Sequence, residues 1–266
     1  TGRLDDQAAD RLAVGVQRPA ARKHRSGNGP SRVNQDLVGE IAHLVLGERR
    51  SVPVQQAAHA IRHQVPLLRL GGEIVPTQLT AALDRSAQYL CTVVGSDDPD
   101  PRNGDDDDGF AVRFGAEPKR TVREHLGILA AVTGHPSAAR YGRPTLAATW
   151  IAAALGTNLT EIGAGIGGGE MRTSAHAPDG GLAILRTEHR RVTMDVGPLG
   201  YLSIAAHGHA DALAVTLSNE SHDLIVDPGT GSYYGNPLWR NAFRGTRAHP
   251  TVCVDGLDQS EIGGRF

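Results

Sequence analysis

The apolar residues change period along this chain, and that change restricts the fold more than any other feature. From Asp36 onward they recur at spacings of three and four, as in Leu37, Ile41, Leu44 and Val45, with Glu40, Glu48 and Arg49 set between them. Further helices are predicted at Val54 to Gln64, at Thr77 to Val94 entered through Pro76, at Thr121 to Thr133 stopped by Gly134 and Pro136, and at Thr145 to Leu155 stopped by Gly156. After the run Gly163-Ala164-Gly165-Ile166-Gly167-Gly168-Gly169 the texture becomes β, with Leu182 to Leu185, Arg191 to Val196 and later apolar runs, separated by turns at Pro178-Asp179-Gly180, Gly197-Pro198 and Asn236-Pro237. The glycine run lacks a following Lys-Ser/Thr, and Glu170 would repel a phosphate, so it reads as a linker. Consecutive helices with short connections stack as antiparallel pairs. The expected organisation is therefore a helical part, 1–169, and a β part, 170–266.

With 266 residues the chain can build one large or two moderate domains. A net charge of -2 provides no field to recruit nucleic acid. There is no apolar run of about eighteen residues to insert into a membrane, and the polar opening Thr1-Gly2-Arg3-Leu4-Asp5-Asp6 is not a signal peptide. Cys91, on a predicted helix, and Cys253, on a predicted strand, are too few for a disulfide framework. The cluster Arg18, Arg22, Lys23, His24 and Arg25 reads as a solvated loop, with an anionic polysaccharide as its alternative ligand. The acidic loop Ser96 to Gly109 does not fit a helix-loop-helix calcium site, because Ala116 falls where the closing glutamate belongs; it reads as a solvated turn, with a structural or rim role as the alternative.

The run His207-Gly208-His209-Ala210-Asp211-Ala212-Leu213-Ala214-Val215-Thr216-Leu217 is predicted to be a strand. One face would then carry His207, His209 and Asp211 followed by Leu213, Val215 and Leu217. Two imidazoles and a carboxylate at the rim of a core need partners, which a metal ion or an acidic substrate would supply. Asp227 closes the apolar run Leu224-Ile225-Val226, and His249 precedes Thr251 to Val254, a further predicted strand. His209, Asp227 and His249 can meet from adjacent strands, and two histidines with a carboxylate suit zinc; a hydrogen-bonded structural role is the alternative.

The segment Asp179 to Phe266 resembles the start of the β-sandwich domain of the heparinase II/III family of polysaccharide lyases. The resemblance is carried by Gly200 to Asp211, by Val226-Asp227-Pro228-Gly229-Thr230, by Trp239 to His249, and by Val254 to Glu261. It implies an N-terminal partial α/α toroid followed by an antiparallel β-sandwich that is incomplete at the C-terminus, in a chain incomplete at both ends. It also implies one zinc ion, mainly structural, on His209, Asp227 and His249, with His207 facing the substrate.

The implied activity is β-elimination on an acidic, uronic-acid-containing polysaccharide, in the periplasm or outside the cell. A base takes the proton beside the carboxylate and an acid protonates the leaving glycosidic oxygen. Where the family has an Asn-His pair before a Leu-x-Gly-Glu helix start, this sequence has Asn34-Gln35-Asp36; Asn34 is then a substrate-binding residue, and Gln35 the amide that neutralises the carboxylate. The family's Tyr-His segment has no counterpart between Gln64 and Leu67, so Tyr234 is expected to take the tyrosine's catalytic part beside His207, with Tyr233 and Arg244 in substrate binding. Pro250 stands where the family has asparagine. A zinc-stabilised, inactive module that binds acidic carbohydrate is the second reading. A metal-dependent hydrolase is a third, for which no His-Glu-x-x-His helix is present.

Overall fold

Leu79, Leu83, Leu90 and Val94 lie at helical spacing with Ala82 and Ala87 among them, and the segment forms helix α1, Thr77–Val94, with this stripe buried. In the computed structural model the described residues are 65–96, 98–102, 104–106, 121–164, 173–178, 180–200, 205 and 207–264. The helices expected at 36–45 and 54–64, the basic cluster, Asn34, Gln35, Ala116 and the end of the glycine run lie outside them.

Gly95, at φ 51°, ends α1 with its N–H bonded to Cys91 O. Helix α2, Val122–Thr133, starts where Glu124 Oε2 accepts the Thr121 N–H at 2.8 Å and stops at Gly134, φ 72°. Two short helices, α3 (Pro136–Tyr141) and α5 (Leu159–Ala164), flank α4, Leu146–Leu155, which begins where Thr145 Oγ1 accepts the Ala148 N–H at 3.0 Å. The three helices expected in this region are thus present with their ends within a residue of the sequence reading.

Helix α2 and the turn that follows α3 approach unusually closely around Gly127. A Cβ there would lie 2.2 Å from Arg143 O, and one at Gly142 would lie 2.5 Å from Gly127 N. Although alanine is the better helix former, Gly127→Ala is expected to destabilise the chain by about 1–3 kcal/mol through overpacking against backbone that cannot yield. A denaturation midpoint equal to or above that of the wild type would contradict this.

The β part is an antiparallel sheet in sequence order: β1 (Ala175–Ala177), β2 (Leu182–Arg186), β3 (Arg190–Asp195), β4 (Val215–Asn219) and β5 (His222–Ile225). Its inner face places Leu182 and Ile184 in the same core as Leu83, Leu90, Leu126 and Leu129. Among the described residues there is this one sheet and no second sandwich layer. Arginines attach the sheet to the C-terminal end of α1, where unpaired carbonyls collect. Arg186 donates to Thr92 O and Val93 O, Arg191 to Val93 O and Pro99 O, and Arg123 of α2 to Val94 O and Gly95 O. Asp98 pairs with Arg186.

Two predicted strands are corrected. The run from His207 is a strand only from Val215; residues 207–214 form turns, with His207 at φ 60° and Leu213 at φ 62°, and Leu213 is 53% exposed. Backbone groups in this run are taken by non-ladder partners: His207 O by Asp105 N–H, and Ala210 N–H by Arg244 O. On β4 it is Ser218 that is buried, while Val215 and Leu217 are half-buried. Thr251 to Val254 is likewise irregular, with Val252 and Val254 exposed, so Cys253 sits in a loop. Pro250 retains a role through its carbonyl, which accepts the Val215 N–H at 2.9 Å and starts β4.

Candidate functional site

Four chain segments meet at His209. The first is the turn 207–211 itself, fixed from one side by Ala210 N–H to Arg244 O at 2.8 Å and from the other by Thr246 Oγ1 to Ala210 O at 2.7 Å. The second is the tight turn after β5, in which Asp227 Oδ1 accepts the Gly229 N–H at 2.8 Å and Gly229 takes φ 67°. The third is helix α6, Pro237–Arg244, with the short 3₁₀ turn Thr246–Ala248 and His249 behind it. Asn236 Oδ1 caps α6 by accepting the N–H groups of Leu238 and Trp239, and Pro237 occupies its first turn. This helix buries Arg240 and Arg244, four apart, and exposes Leu238 and Trp239. The fourth segment is Gly104 to Asp106 of the acidic loop.

His209, Asp211 and His249 are all buried and present ligand atoms within 4.8 Å of one another. Asp227 joins them through its Oδ2, 2.8 Å from His249 Nδ1. The other nitrogen of His249 lies 2.8 Å from Phe243 O, so two acceptors face this ring. Burial pulls the His249 pKa down, but Asp227, Asp211 and the Phe243 carbonyl together outweigh it and raise the value. Burial pushes the Asp211 carboxyl up; the two imidazoles oppose this, Asp195 and Asp227 reinforce it, and the net shift is upward.

The donor set fits a cation. His209 Nδ1 is buried with no hydrogen-bond partner, while Nε2 is engaged with Asp105 Oδ1 at 2.8 Å. A buried imidazole nitrogen without a partner is costly, and next to a second histidine and two carboxylates a cation would satisfy it. A cation taking the place of the proton between His249 Nδ1 and Asp227 Oδ2 would gain both as ligands.

The other residues singled out from the sequence fall around this group. His207 is at the mouth, its side chain 36% exposed, with Nδ1 3.8 Å from Asp105 Oδ2. Its ring stacks on Tyr233, centroids 6.2 Å apart, and Tyr234 stands edge-on to Tyr233 and is 62% exposed. The structure thus brings His207, Tyr233 and Tyr234 together beside the buried group. Arg244 is buried and donates to Gly264 O at 3.3 Å; burial, and then the neighbouring Arg240 cation, lower its pKa. Arg240 is the arginine against the aromatic pair, its guanidinium 4.6 Å from the Tyr233 ring centroid.

Sequence reasoning missed Arg240 and the part played by Asp105, and it placed Asp211 beside the histidines without counting it among the zinc ligands. The Asn-Pro start and the arginines four apart were a legible signal for Arg240. The Gly-Asp-x-Asp-x-Gly segment from Gly104 pointed to a structural or rim role without singling out Asp105. The expectation of a solvated acidic turn is corrected, since the Asp105 side chain is only 3% exposed and Asp98 is partly buried against Arg186.

Residues 170–266, about a third of the chain, match a family model described as Heparinase II/III-like, C-terminal. This segment is heparinase II/III-like. The solved structures agree at the level of fold. The chain is similar to the heparan sulfate lyase HepC from Pedobacter heparinus, at 17% identity and a TM-score of 0.52, over 84% of this chain and 33% of that one. It is also similar to heparinase III, at 14% identity and a TM-score of 0.50, over 84% of this chain and 35% of that one. The chain therefore spans about a third of the length of these two proteins. No curated protein matched the chain. The His207-Gly208-His209 turn, Asp227 and His249 all lie inside the heparinase II/III-like segment.

Proposed function

We propose that this site belongs to a polysaccharide lyase that cleaves an acidic, uronic-acid-containing glycan by β-elimination. The observation that carries the reading is a half-exposed histidine, His207, backed by a tyrosine pair and standing beside a buried His/Asp group, all but Asp105 within the heparinase II/III-like segment. Of the two similar structures, one is a heparan sulfate lyase, whose substrate is an acidic polysaccharide, and the other is heparinase III.

The reaction breaks the C–H bond next to the uronate carboxylate. Its electron pair becomes a new C=C bond as the C–O bond to the leaving sugar breaks, and the leaving oxygen takes up a proton. His207 and Tyr234 are assigned the proton transfers, because both are accessible and Tyr233 lies between them, stacked on one and edge-on to the other. The abstracted proton is weakly acidic until the carboxylate's charge is neutralised. Gln35 is assigned that part, with Asn34, Tyr233 and Arg244 in substrate binding. The ligands of the metal, taken as zinc, are His209, Asp227 and His249, with Asp211 in reach. Zinc when bound supplies a fixed positive charge that organises the turns carrying His207. The partial toroid, the sandwich, and a periplasmic or extracellular site of action belong to the same proposal; among the described residues no helix is long and apolar enough to cross a membrane.

The test is a screen of acidic polysaccharides for the unsaturated product, which absorbs ultraviolet light. His207→Ala is expected to lower product formation by about 100-fold or more while leaving zinc content unchanged. Full activity in His207→Ala would contradict its role, and glycan binding without any product in the wild type would favour the inactive-module reading.

A further inference from the structure

The acidic loop between α1 and α2 does more than turn the chain. Asp105 has a side chain 3% exposed and reaches three groups of the site. Its Oδ1 accepts from His209 Nε2 at 2.8 Å, both oxygens pair with the Arg240 guanidinium, and Oδ2 is 3.8 Å from His207 Nδ1. Its backbone N–H donates to His207 O at 3.0 Å, so the same residue also holds the left-handed backbone of His207. The loop is locked in place from the far side: Asp106 N–H donates to Thr230 Oγ1 at 2.6 Å, and Thr230 Oγ1 donates to Gly104 O at 3.4 Å. Gly104, at φ 61°, lies so close that a Cβ on it would be 2.5 Å from His207 O.

These contacts settle the chemistry of His209. Both oxygens of Asp105 face the Arg240 guanidinium, which offers only donors, so the Asp105 carboxylate acts as an acceptor. An ionised carboxylate only accepts hydrogen bonds, so His209 Nε2 carries the proton and donates it. Nδ1 is then the nitrogen left to face a ligand, and it is the buried atom that lacks a partner.

We infer that Asp105 is a positioning residue: it fixes the tautomer and orientation of His209 so that Nδ1 faces the metal, and it tethers His207 and Arg240 to the same carboxylate. This deepens the proposed zinc site and rests on that reading. A carboxylate bonded to the far nitrogen of a metal-ligating histidine makes the ring a better ligand, and its loss costs about 10- to 100-fold in metal affinity. The loop that carries Asp105 is outside the heparinase II/III-like segment, so metal affinity in the β part is set from the helical part of the chain.

The experiment measures zinc affinity of the full chain by competition with a chromophoric chelator, for wild type, Asp105→Asn and Asp100→Asn. Asp100 is the control: it lies in the same acidic loop and its carboxylate pairs with Arg123 at 3.6 Å, away from the site. Asp105→Asn is expected to bind zinc about 10- to 100-fold more weakly, and Asp100→Asn like the wild type. If Asp105→Asn does not fold, Thr230→Val, which removes the hydroxyl bonded to Asp106 and changes no charge, is expected to weaken zinc binding in the same direction. Wild-type affinity in Asp105→Asn, or in Thr230→Val where it stands in, overturns the inference while leaving the zinc site standing. Equal losses in Asp105→Asn and Asp100→Asn overturn it as a general loop effect. A wild type that binds no zinc overturns both the inference and the zinc reading.

Discussion

His209→Ala is expected to strip the chain of zinc and to lower its stability by about 2–4 kcal/mol, a core truncation combined with lost charge-assisted hydrogen bonding. The His209 side chain is completely buried, between the ring of His249, 5.1 Å away by centroids, and the carboxylate of Asp105. Alanine removes a ligand, leaves a cavity, and deprives Asp105 of one of its donors. His207→Ala makes the useful contrast, because its ring is partly in solvent and its metal-side counterpart is two residues away. Thermal unfolding of both variants, with and without added zinc, separates the two roles. Zinc should raise the wild-type midpoint, since a ligand that binds only the folded state stabilises it. It should do the same for His207→Ala and nothing for His209→Ala. A His209→Ala chain that keeps the zinc-dependent rise would refute the assignment of the ligand.

Arg123→Met should be the most damaging change away from the site, at about 3–5 kcal/mol. The guanidinium is buried and donates to Gly95 O and Tyr141 O at 3.2 Å, to Val94 O at 3.1 Å and to Asp98 O. It thereby satisfies the carbonyls at the end of α1, ties α3 to them, and balances Asp100. Methionine fills much of the space but leaves those carbonyls without their donor in a buried setting and Asp100 without its ion-pair partner. Lysine is not expected to rescue it, because one ammonium cannot span four carbonyls held in a planar fork's geometry. Urea denaturation monitors this directly, and a loss under about 1 kcal/mol would show that the carbonyls find other donors.

The helices were legible because their signals are local: the Leu79, Leu83 and Leu90 stripe, the Thr121 to Glu124 start, and Gly95, Gly134 and Gly156 at the ends. The β2 and β3 strands were legible for the same reason. The turn at His207 was not. Apolar alternation from Leu213 to Leu217 looks the same in sequence whether or not the residues before it continue the strand. What bends the chain there lies elsewhere, in Asp105, Arg244 and Thr246, which take its backbone groups. His209 and His249 nevertheless come together, because a metal-type constellation depends on where side chains converge and not on strand pairing. Asp211 was seen on the right face for the wrong reason, and Asp105 was hidden among acidic neighbours because only the fold distinguishes a buried carboxylate from a solvated one.

The central claim is that four distant segments assemble a metal-organised site beside His207, and the metal content of the purified chain tests it most directly. About one zinc per chain is predicted, lost in both His209→Ala and His249→Ala. A wild-type chain without zinc, or zinc that persists in both variants, would contradict the account.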